Sequence, residues 1–413
     1  MRNGQAAATV SITLDKRRQK KDGTFPLKLY VWDRIAKEGK SYGTNISLLE
    51  SDFHSAWETV KPRREYLPLR QKLQALQTDA QSTIDALEHF TFEAYERKAL
   101  IPTGETQNVL WHYEQRIAQL TKAKRIGTAD SYLYSAKALK MFSGKSSLQF
   151  NAITPQFLED FETYMVNNGR SLTTVGIYLR TLRAIFNDAI ASKDVNLDLY
   201  PFGRRKYVVP ASKNPKKALS GAQLKQLLEA KTATAEQAKA RDFFFFSFLS
   251  NGMNMKDIAL LRWEQLEADR MIFLREKTKR TKKDGQTPIT VLLNDTHHAT
   301  INQHANSKTQ SPYVFPIVDQ YMDAEQQHRA IKAFTRYVNQ HLEKLCTANN
   351  LQVVSTYWAR HSFATLAVLN KTPLELVSLS LGHSELKTTM NYFAGFGDEE
   401  KKKMGDSLMK WLK

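Results

Sequence analysis

The chain has 413 residues, 42% hydrophobic and 10% aromatic, which is enough apolar material for real cores and too much for a disordered chain. Sixty Lys and Arg against forty-two Asp and Glu leave a formal net charge of +18, which points to a polyanionic partner through counterion release from phosphates, although an acidic membrane surface would also attract it. A single cysteine, Cys346, excludes a disulfide framework and a Cys-rich zinc site. No apolar stretch approaches the roughly 18 residues of a spanning helix, and Met1 to Val10 lacks the apolar run of a secretory signal. A cytoplasmic, nucleoid-associated protein of about two to four domains is expected, with no membrane partner.

The first segment, residues 8–100, opens with alternating patterns. Val10-Ser-Ile12-Thr-Leu14 and Leu27-Lys-Leu29-Tyr-Val31-Trp read as strands with one apolar face, and a third strand is expected over Lys40 to Ile46. Between the first two lies a hairpin-like turn ending in Asp22-Gly23 and carrying Arg17, Arg18, Lys20 and Lys21. After Pro68, Leu69, Leu73, Leu76, Ala80, Ile84 and Leu87 fall at helical spacing. A small sheet with a basic tip and a helix fits a DNA-reading module, and the tip equally fits a solvated turn.

The second segment, residues 104–200, reads as all-helical. One helix is expected from near Ser131. A second is signalled by Thr154-Pro155, an N-cap followed by proline at the first helical position. A third carries Val175, Tyr178, Leu179, Leu182, Ile185, Phe186 and Ala189 inward. Arg180 and Arg183 share one side of it, suited to clamping a DNA backbone or simply to solvation. Residues 201–217 follow as a linker with three prolines and Arg204, Arg205, Lys206, Lys213, Lys216 and Lys217 against no acid. Proline denies it helix and predicts an extended basic strap able to cross a phosphate backbone.

The third segment is residues 218–413. Leu219-Ser220 with Gln223 predicts a capping box. The Phe243–Leu249 run predicts a central buried helix. Met271–Leu274 and Ile289–Leu293 predict a hairpin, with basic residues between them and its turn at Asp284-Gly285. Helices are expected again from about Ala324 and from Thr356. Thr372-Pro373-Leu-Glu375 predicts another capping box, on a helix stopped by Gly382, and Ser384 a fresh N-cap. His383 then falls in a tight turn between two short helices, a pattern that a helix-turn-helix DNA reader would also show.

Arg360, His383 and Tyr392 together form a candidate phosphoryl-transfer constellation. Arginine offers a fork of donors to non-bridging phosphate oxygens, histidine can hydrogen-bond the same phosphate, and tyrosine can attack it. A tyrosine of ordinary pKa near 10 needs such help at neutral pH. This chemistry requires no metal and no cofactor, which fits the lack of a carboxylate cluster with ligand spacing.

Ala359-Arg360-His361-Ser-Phe-Ala-Thr365, Leu381-Gly382-His383-Ser384 and Thr388-Thr389-Met-Asn-Tyr392 together resemble the C-terminal signature of the tyrosine recombinase (phage integrase) family. Asn251 to Leu261 is similar to that family's box around its first catalytic arginine, and Lys277 matches its hairpin lysine. The resemblance implies a multidomain, mainly α protein. It would have a small N-terminal α+β arm-binding-like domain, an all-α SAM-like core-binding domain, and a mainly α catalytic domain with a small antiparallel sheet. It implies a site-specific integrase of a bacterial mobile element, acting on double-stranded DNA as a homo-tetramer through a 3′-phosphotyrosyl bond. In that scheme Tyr392 attacks, Arg360 and His383 hold the phosphate and Lys277 protonates the leaving 5′-hydroxyl. Lys279 and Arg280 join Arg17, Arg18, Lys20, Lys21, Arg180, Arg183, Arg204, Arg205 and Lys206 as expected DNA contacts. His361 is expected to orient its helix rather than react.

Two positions depart from the family pattern. Asn254 stands where the first arginine belongs, with Arg275 and Arg262 as candidate replacements, and Tyr357 stands three before Arg360, where histidine is common. The substitution at Asn254 keeps open a DNA-binding regulator derived from a recombinase, and the shared chemistry keeps open a type IB topoisomerase-like nicking-closing enzyme. Past Tyr392, Met404, Leu408, Trp411 and Leu412 make an apolar stripe. It suits folding back in cis or, by resemblance, docking on a neighbouring protomer.

Overall fold

The structure is a computed structural model that describes residues 7–99, 103–211, 217–277, 287–382, 386–390, 402 and 406. It divides into two compact units. One comprises the chain up to Arg116 with Leu133–Arg170 and Ile177–Val209; the other comprises Ile117–Tyr132, Ser171–Gly176 and everything from Pro210 onward. Elements are mainly helical, with small antiparallel sheets in each unit. Among the described residues no helix is long and apolar enough to cross a membrane.

The first unit opens with β1 (Ala8–Leu14), β2 (Phe25–Asp33) and β3 (Glu38–Leu48), an antiparallel sheet in that order. Val10 pairs with Val31 and Leu29 with Tyr42, so Val10, Ile12, Leu27, Val31 and Tyr42 bury one face, as the alternation predicts. After the short α1 (Glu50–Phe53) comes α2 (Leu67–Asp85), which buries Leu73, Ala80 and Ile84. Polar residues of α2 also close the free edge of β1. Gln77 Nε2 donates to the Val10 carbonyl at 2.8 Å, and the Val10 N–H donates to Gln81 Oε1 at 3.1 Å. An unpaired strand edge invites pairing with another chain, and these two amides remove that hazard.

Next come α3 (Phe92–Ala99), α4 (Thr103–Thr106), α5 (Val109–Lys122), α6 (Ile126–Ser143), α7 (Pro155–Asn167) and α8 (Leu172–Ala191). The Thr154 hydroxyl caps α7, accepting from the Phe157 N–H at 3.2 Å. The predicted inner face of α8 is buried at Val175, Leu179, Leu182, Ile185, Phe186 and Ala189. Helix α6 starts five residues before Ser131. Lys124, at φ +56°, ends α5 in the left-handed region and the chain re-enters helix at once, so Ile126 to Asp130 join α6.

The extended strap expected from residue 201 is not what residues 201–207 form. They close a tight turn in which Gly203 N–H donates to the Tyr207 carbonyl at 3.0 Å and Tyr207 N–H to the Pro201 carbonyl at 3.1 Å. Phe202 and Tyr207 are buried, the Phe202 ring 5.9 Å from that of Phe186, and the Tyr207 hydroxyl donates to Glu162. Aromatic burial outweighs the extended preference of the flanking prolines, while Arg204, Arg205 and Lys206 stay exposed at the tip.

In the second unit, Ser220 and Gln223 close the predicted capping box on α9 (Gly221–Glu229). Helix α10 (Ala235–Leu249) buries Phe243 to Phe246 at the centre of the core. It is followed by α11 (Met255–Ala259), the antiparallel pair β4 (Arg270–Phe273) and β5 (Ile289–Leu292), and α12 (Asp295–His304). Helix α12 has almost no apolar periodicity, and Asn294 nucleates it with a capping box on His297. Then come α13 (Ala324–Ala348), α14 (Thr356–Leu369), α15 (Leu374–Ser380) and α16 (Leu386–Met390). The box predicted at Thr372 does not form. Lys371, at φ +63°, and the Thr372 N–H, donated to the Ala367 carbonyl at 3.0 Å, belong to the closure of α14, which leaves Pro373 to start α15 without a side-chain cap. Asp284-Gly285, Ser384 and the stripe residues Met404, Leu408, Trp411 and Leu412 lie outside the described residues.

Phe202→Ala should cost about 3–5 kcal/mol in urea unfolding, whereas Arg204→Ala at the tip should change stability by less than about 0.5 kcal/mol. Equal, small effects would mean that the segment is solvated and extended.

Candidate active site

Arg360, on the second turn of α14, is only 3% exposed. A buried guanidinium must be met by acceptors. Its Nη1 donates to the Gly252 carbonyl at 3.0 Å and its Nη2 to the Leu381 carbonyl at 2.6 Å. One side chain therefore ties α14 to the turn between α10 and α11 and to the end of α15.

Both turns depend on glycine. Gly252 has φ +68°, and a Cβ there would lie 2.7 Å from the Arg360 Cα. Gly382 has φ +65°, and its Cβ would meet Ile289 Cδ1 at 2.8 Å and Arg275 Cδ at 3.4 Å. The backbone of α14 and the side chains beside β4 and β5 thus approach where only hydrogen fits.

Buried polar side chains shape the Gly252 turn. Ser247 Oγ donates to the Met253 carbonyl at 2.6 Å, and the Met253 N–H donates to the Ser250 carbonyl at 3.0 Å. Ser250 Oγ is hydrogen-bonded to His297 Nε2 at 3.1 Å, and the other ring nitrogen lies 2.9 Å from Asn294 Oδ1. His297 is fully buried. Desolvation, with a smaller contribution from His298, pushes its pKa down to about 4, so it is neutral at pH 7.

Asn254 stands at the N-cap of α11, half-buried, with Asp257 one turn on. Asp257 Oδ1 accepts the Glu276 N–H at 3.0 Å, and Oδ2 lies 3.5 Å from Asn254 Nδ2. Burial raises the Asp257 carboxyl pKa. The Glu276 N–H, the Arg275 charge, the Asn254 amide and the Arg360 charge oppose that shift, in decreasing order. Arg275, just past β4, is itself 7% exposed. A buried carboxylate thus has Arg275 and Arg360 as its cationic neighbours. The sequence motifs do not single out Asp257, although it is the one acid between Asn251 and Leu261 and lies three residues from Asn254.

The other expected site residues are placed as follows. Arg262 is exposed, its guanidinium 5.1 Å over the Tyr313 ring and 3.8 Å from Glu264. Tyr357 is 46% exposed one turn before Arg360, its ring edge-on to His361 at 4.8 Å. His361 is buried in that packing. Lys277 is exposed two residues beyond Arg275. His383 follows Gly382 directly, but His383, Tyr392, Lys279 and Arg280 lie outside the described residues, as do Lys213 and Lys216. Arg17, Arg18, Lys20 and Lys21 are exposed at the β1–β2 tip, where Arg17 Nε lies 3.1 Å from Asp15. Arg180 and Arg183 are exposed on α8, and Lys206 Nζ donates to the Tyr200 carbonyl at 2.5 Å.

Residues 108–208 match the model of the phage integrase SAM-like domain, and residues 217–396 that of the phage integrase family. The transposase from transposon Tn916 of Enterococcus faecalis is 23% identical over 402 residues, covering 87% of this chain and 91% of the transposase. The transposase from transposon Tn1545 of Streptococcus pneumoniae gives the same values. Among solved structures, the Tn1549 transposon integrase in complex with a circular intermediate DNA superposes with a TM-score of 0.51 at 15% identity, over 73% of this chain and 99% of that one. Lambda integrase, in a tetramer bound to a Holliday junction, superposes with a TM-score of 0.50 at 12% identity, over 94% and 96%. At these identities the structural likeness shows the fold.

Gly252→Ala should cost about 1–2 kcal/mol of backbone strain alone, and more once Arg360 is displaced, measured by urea unfolding. His297 yields a pH dependence. A histidine with a lowered folded pKa stabilises above its usual 6.5, and that contribution fades as pH falls toward about 4. Relative to His297→Gln, the native protein should lose on the order of 3 kcal/mol across that window. Parallel pH profiles would mean that His297 is not held neutral.

Proposed function

The chain belongs to the phage integrase family, the tyrosine recombinases, and from that premise we propose that it is the integrase of a transposon-like mobile element, acting through a 3′-phosphotyrosyl intermediate. Tyr392 gives up its phenolic proton to solvent as it attacks the scissile phosphorus, a tyrosine O–P bond forms, and the P–O5′ bond breaks. Lys277 delivers a proton to the leaving 5′-oxygen. The phosphodiester energy stays in the phosphotyrosyl bond, so a second strand's 5′-hydroxyl can reverse the step without a nucleotide cofactor.

Arg360 and His383 hold the non-bridging oxygens. Arg275 supplies the charge that Asn254 lacks, stabilising the pentavalent transition state in a desolvated site. The observation that carries this reading is that Arg275 and Arg360 meet the same turn: a Gly382 Cβ would lie 3.4 Å from Arg275 Cδ, and Arg360 Nη2 donates to the Leu381 carbonyl at 2.6 Å. Asn254 reaches the Asp257 carboxylate with an uncharged amide, so it helps hold Asp257 where an arginine would otherwise reach the phosphate.

The substrate is double-stranded DNA. The tip of the first sheet would read arm-type sites, and α8 with the 201–207 turn would contact the core site. The Tn1549 integrase bound to a circular intermediate DNA supports DNA as the partner, and the lambda integrase tetramer bound to a Holliday junction supports a DNA-bound tetramer here as well. With such a substrate the expected location is the nucleoid.

The test is a nicked attachment-site duplex that traps the covalent adduct. Wild-type protein should form a denaturant-resistant adduct, and Tyr392→Phe should form none. Arg275→Ala should slow adduct formation on the order of 100-fold, while weakening binding no more than about tenfold. Duplex binding without any adduct would overturn the enzyme mechanism and favour a DNA-binding regulator. Relaxation of plasmid DNA of any sequence would favour a topoisomerase.

A further inference from the structure

Residues entering the second unit meet the helix that carries Arg360 at one buried point. The backbone N–H of Leu219 donates to Ser362 Oγ at 2.9 Å. Leu219 is 3% exposed and Ser362 is 0% exposed. Leu219 immediately precedes the Ser220 N-cap of α9, so its N–H lies outside that helix's own bonding and takes the Ser362 hydroxyl as partner. Ser362 lies two residues after Arg360 on α14. Serine in a buried helix interior is a weaker helix former than alanine, and the bond to Leu219 gives its hydroxyl a purpose there. On the other side of Leu219, Lys217 is exposed and ends the basic run that begins at Arg204. Two residues of chain span at most about 7 Å, so a phosphate gripped at Lys217 cannot shift far without displacing Leu219.

We propose that Ser362 is a positioning residue that couples DNA held at the end of the basic linker to Arg360. Phosphate contact fixes Lys217 and Leu219, and the Leu219–Ser362 hydrogen bond fixes the α14 turn. That turn then holds the Arg360 guanidinium against the Gly252 and Leu381 carbonyls. A duplex that engages the catalytic pocket without the linker is cut slowly. The inference rests on the strand-transfer reading above.

Single-turnover adduct formation on the nicked duplex, at saturating protein, separates this role from binding and from folding. Ser362→Ala should slow adduct formation about tenfold, the worth of one lost hydrogen bond to positioning. Duplex affinity should be unchanged, and Ser362→Thr, which keeps the acceptor, should recover the rate. Lys217→Gln should slow adduct formation in wild type and add nothing in the Ser362→Ala background. The inference is overturned by a wild-type rate in Ser362→Ala, or by effects of the two substitutions that multiply independently. It is also overturned if binding and cleavage fall together with the unfolding midpoint, which would make Ser362 a packing residue. If wild-type protein itself forms no adduct, the strand-transfer reading fails instead, and binding of the duplex by the Ser362 and Lys217 variants shows that separately.

Discussion

Burying the guanidinium of Arg360 obliges the surrounding backbone to supply acceptors, and the local architecture follows from where those acceptors come from. The Gly252 and Leu381 carbonyls arrive from opposite ends of the catalytic sequence, one from the turn after the phenylalanine-rich helix and one from the close of α15. For both to reach, the backbone must bend through left-handed glycines and pass within van der Waals contact of Arg360 and Ile289. Ser247, Ser250 and neutral His297 then hold the first turn from behind. A side chain suited to gripping phosphate is in this way also the tie that aligns three elements.

Asp257 extends the same logic to the second cation. A carboxylate at 5% exposure is unfavourable alone, and one backbone N–H, one amide and the charges of Arg275 and Arg360 offset that cost only in part, so its pKa stays raised. Because Glu276 N–H bonds it directly, Asp257 fixes the residue after Arg275 to α11. An arginine at position 254 would reach this region from the helix start, and Arg275 reaches it from the strand end. The charge requirement of the site can thus be met from a different element without changing the fold that surrounds it.

Much of this was legible in residue order, and the exceptions have physical reasons. Strand alternation at Val10 and Val31, the Thr154 cap and the buried run Phe243–Phe246 appear where spacing puts them, because one strong local signal decides each. Helix α12 has no such signal, since its apolar residues are sparse and its capping asparagine decides its start. Residues 201–207 defeated the proline rule because Phe202 and Tyr207 had a core to enter, which local sequence does not reveal. At the site, the Arg360 and Gly382 motifs announced themselves. Asp257 did not, because its importance lies in what two distant segments bring to it.

On the proposed mechanism Arg275 supplies the charge missing at Asn254, with Asp257 holding it beside Arg360. Relocating the arginine tests it most directly: adduct formation on the nicked duplex is measured for Arg275→Ala alone and combined with Asn254→Arg. The second substitution should restore most of the activity lost to the first. An inactive double variant that still folds and binds the duplex, or an Arg275→Ala protein as active as the native one, would contradict it.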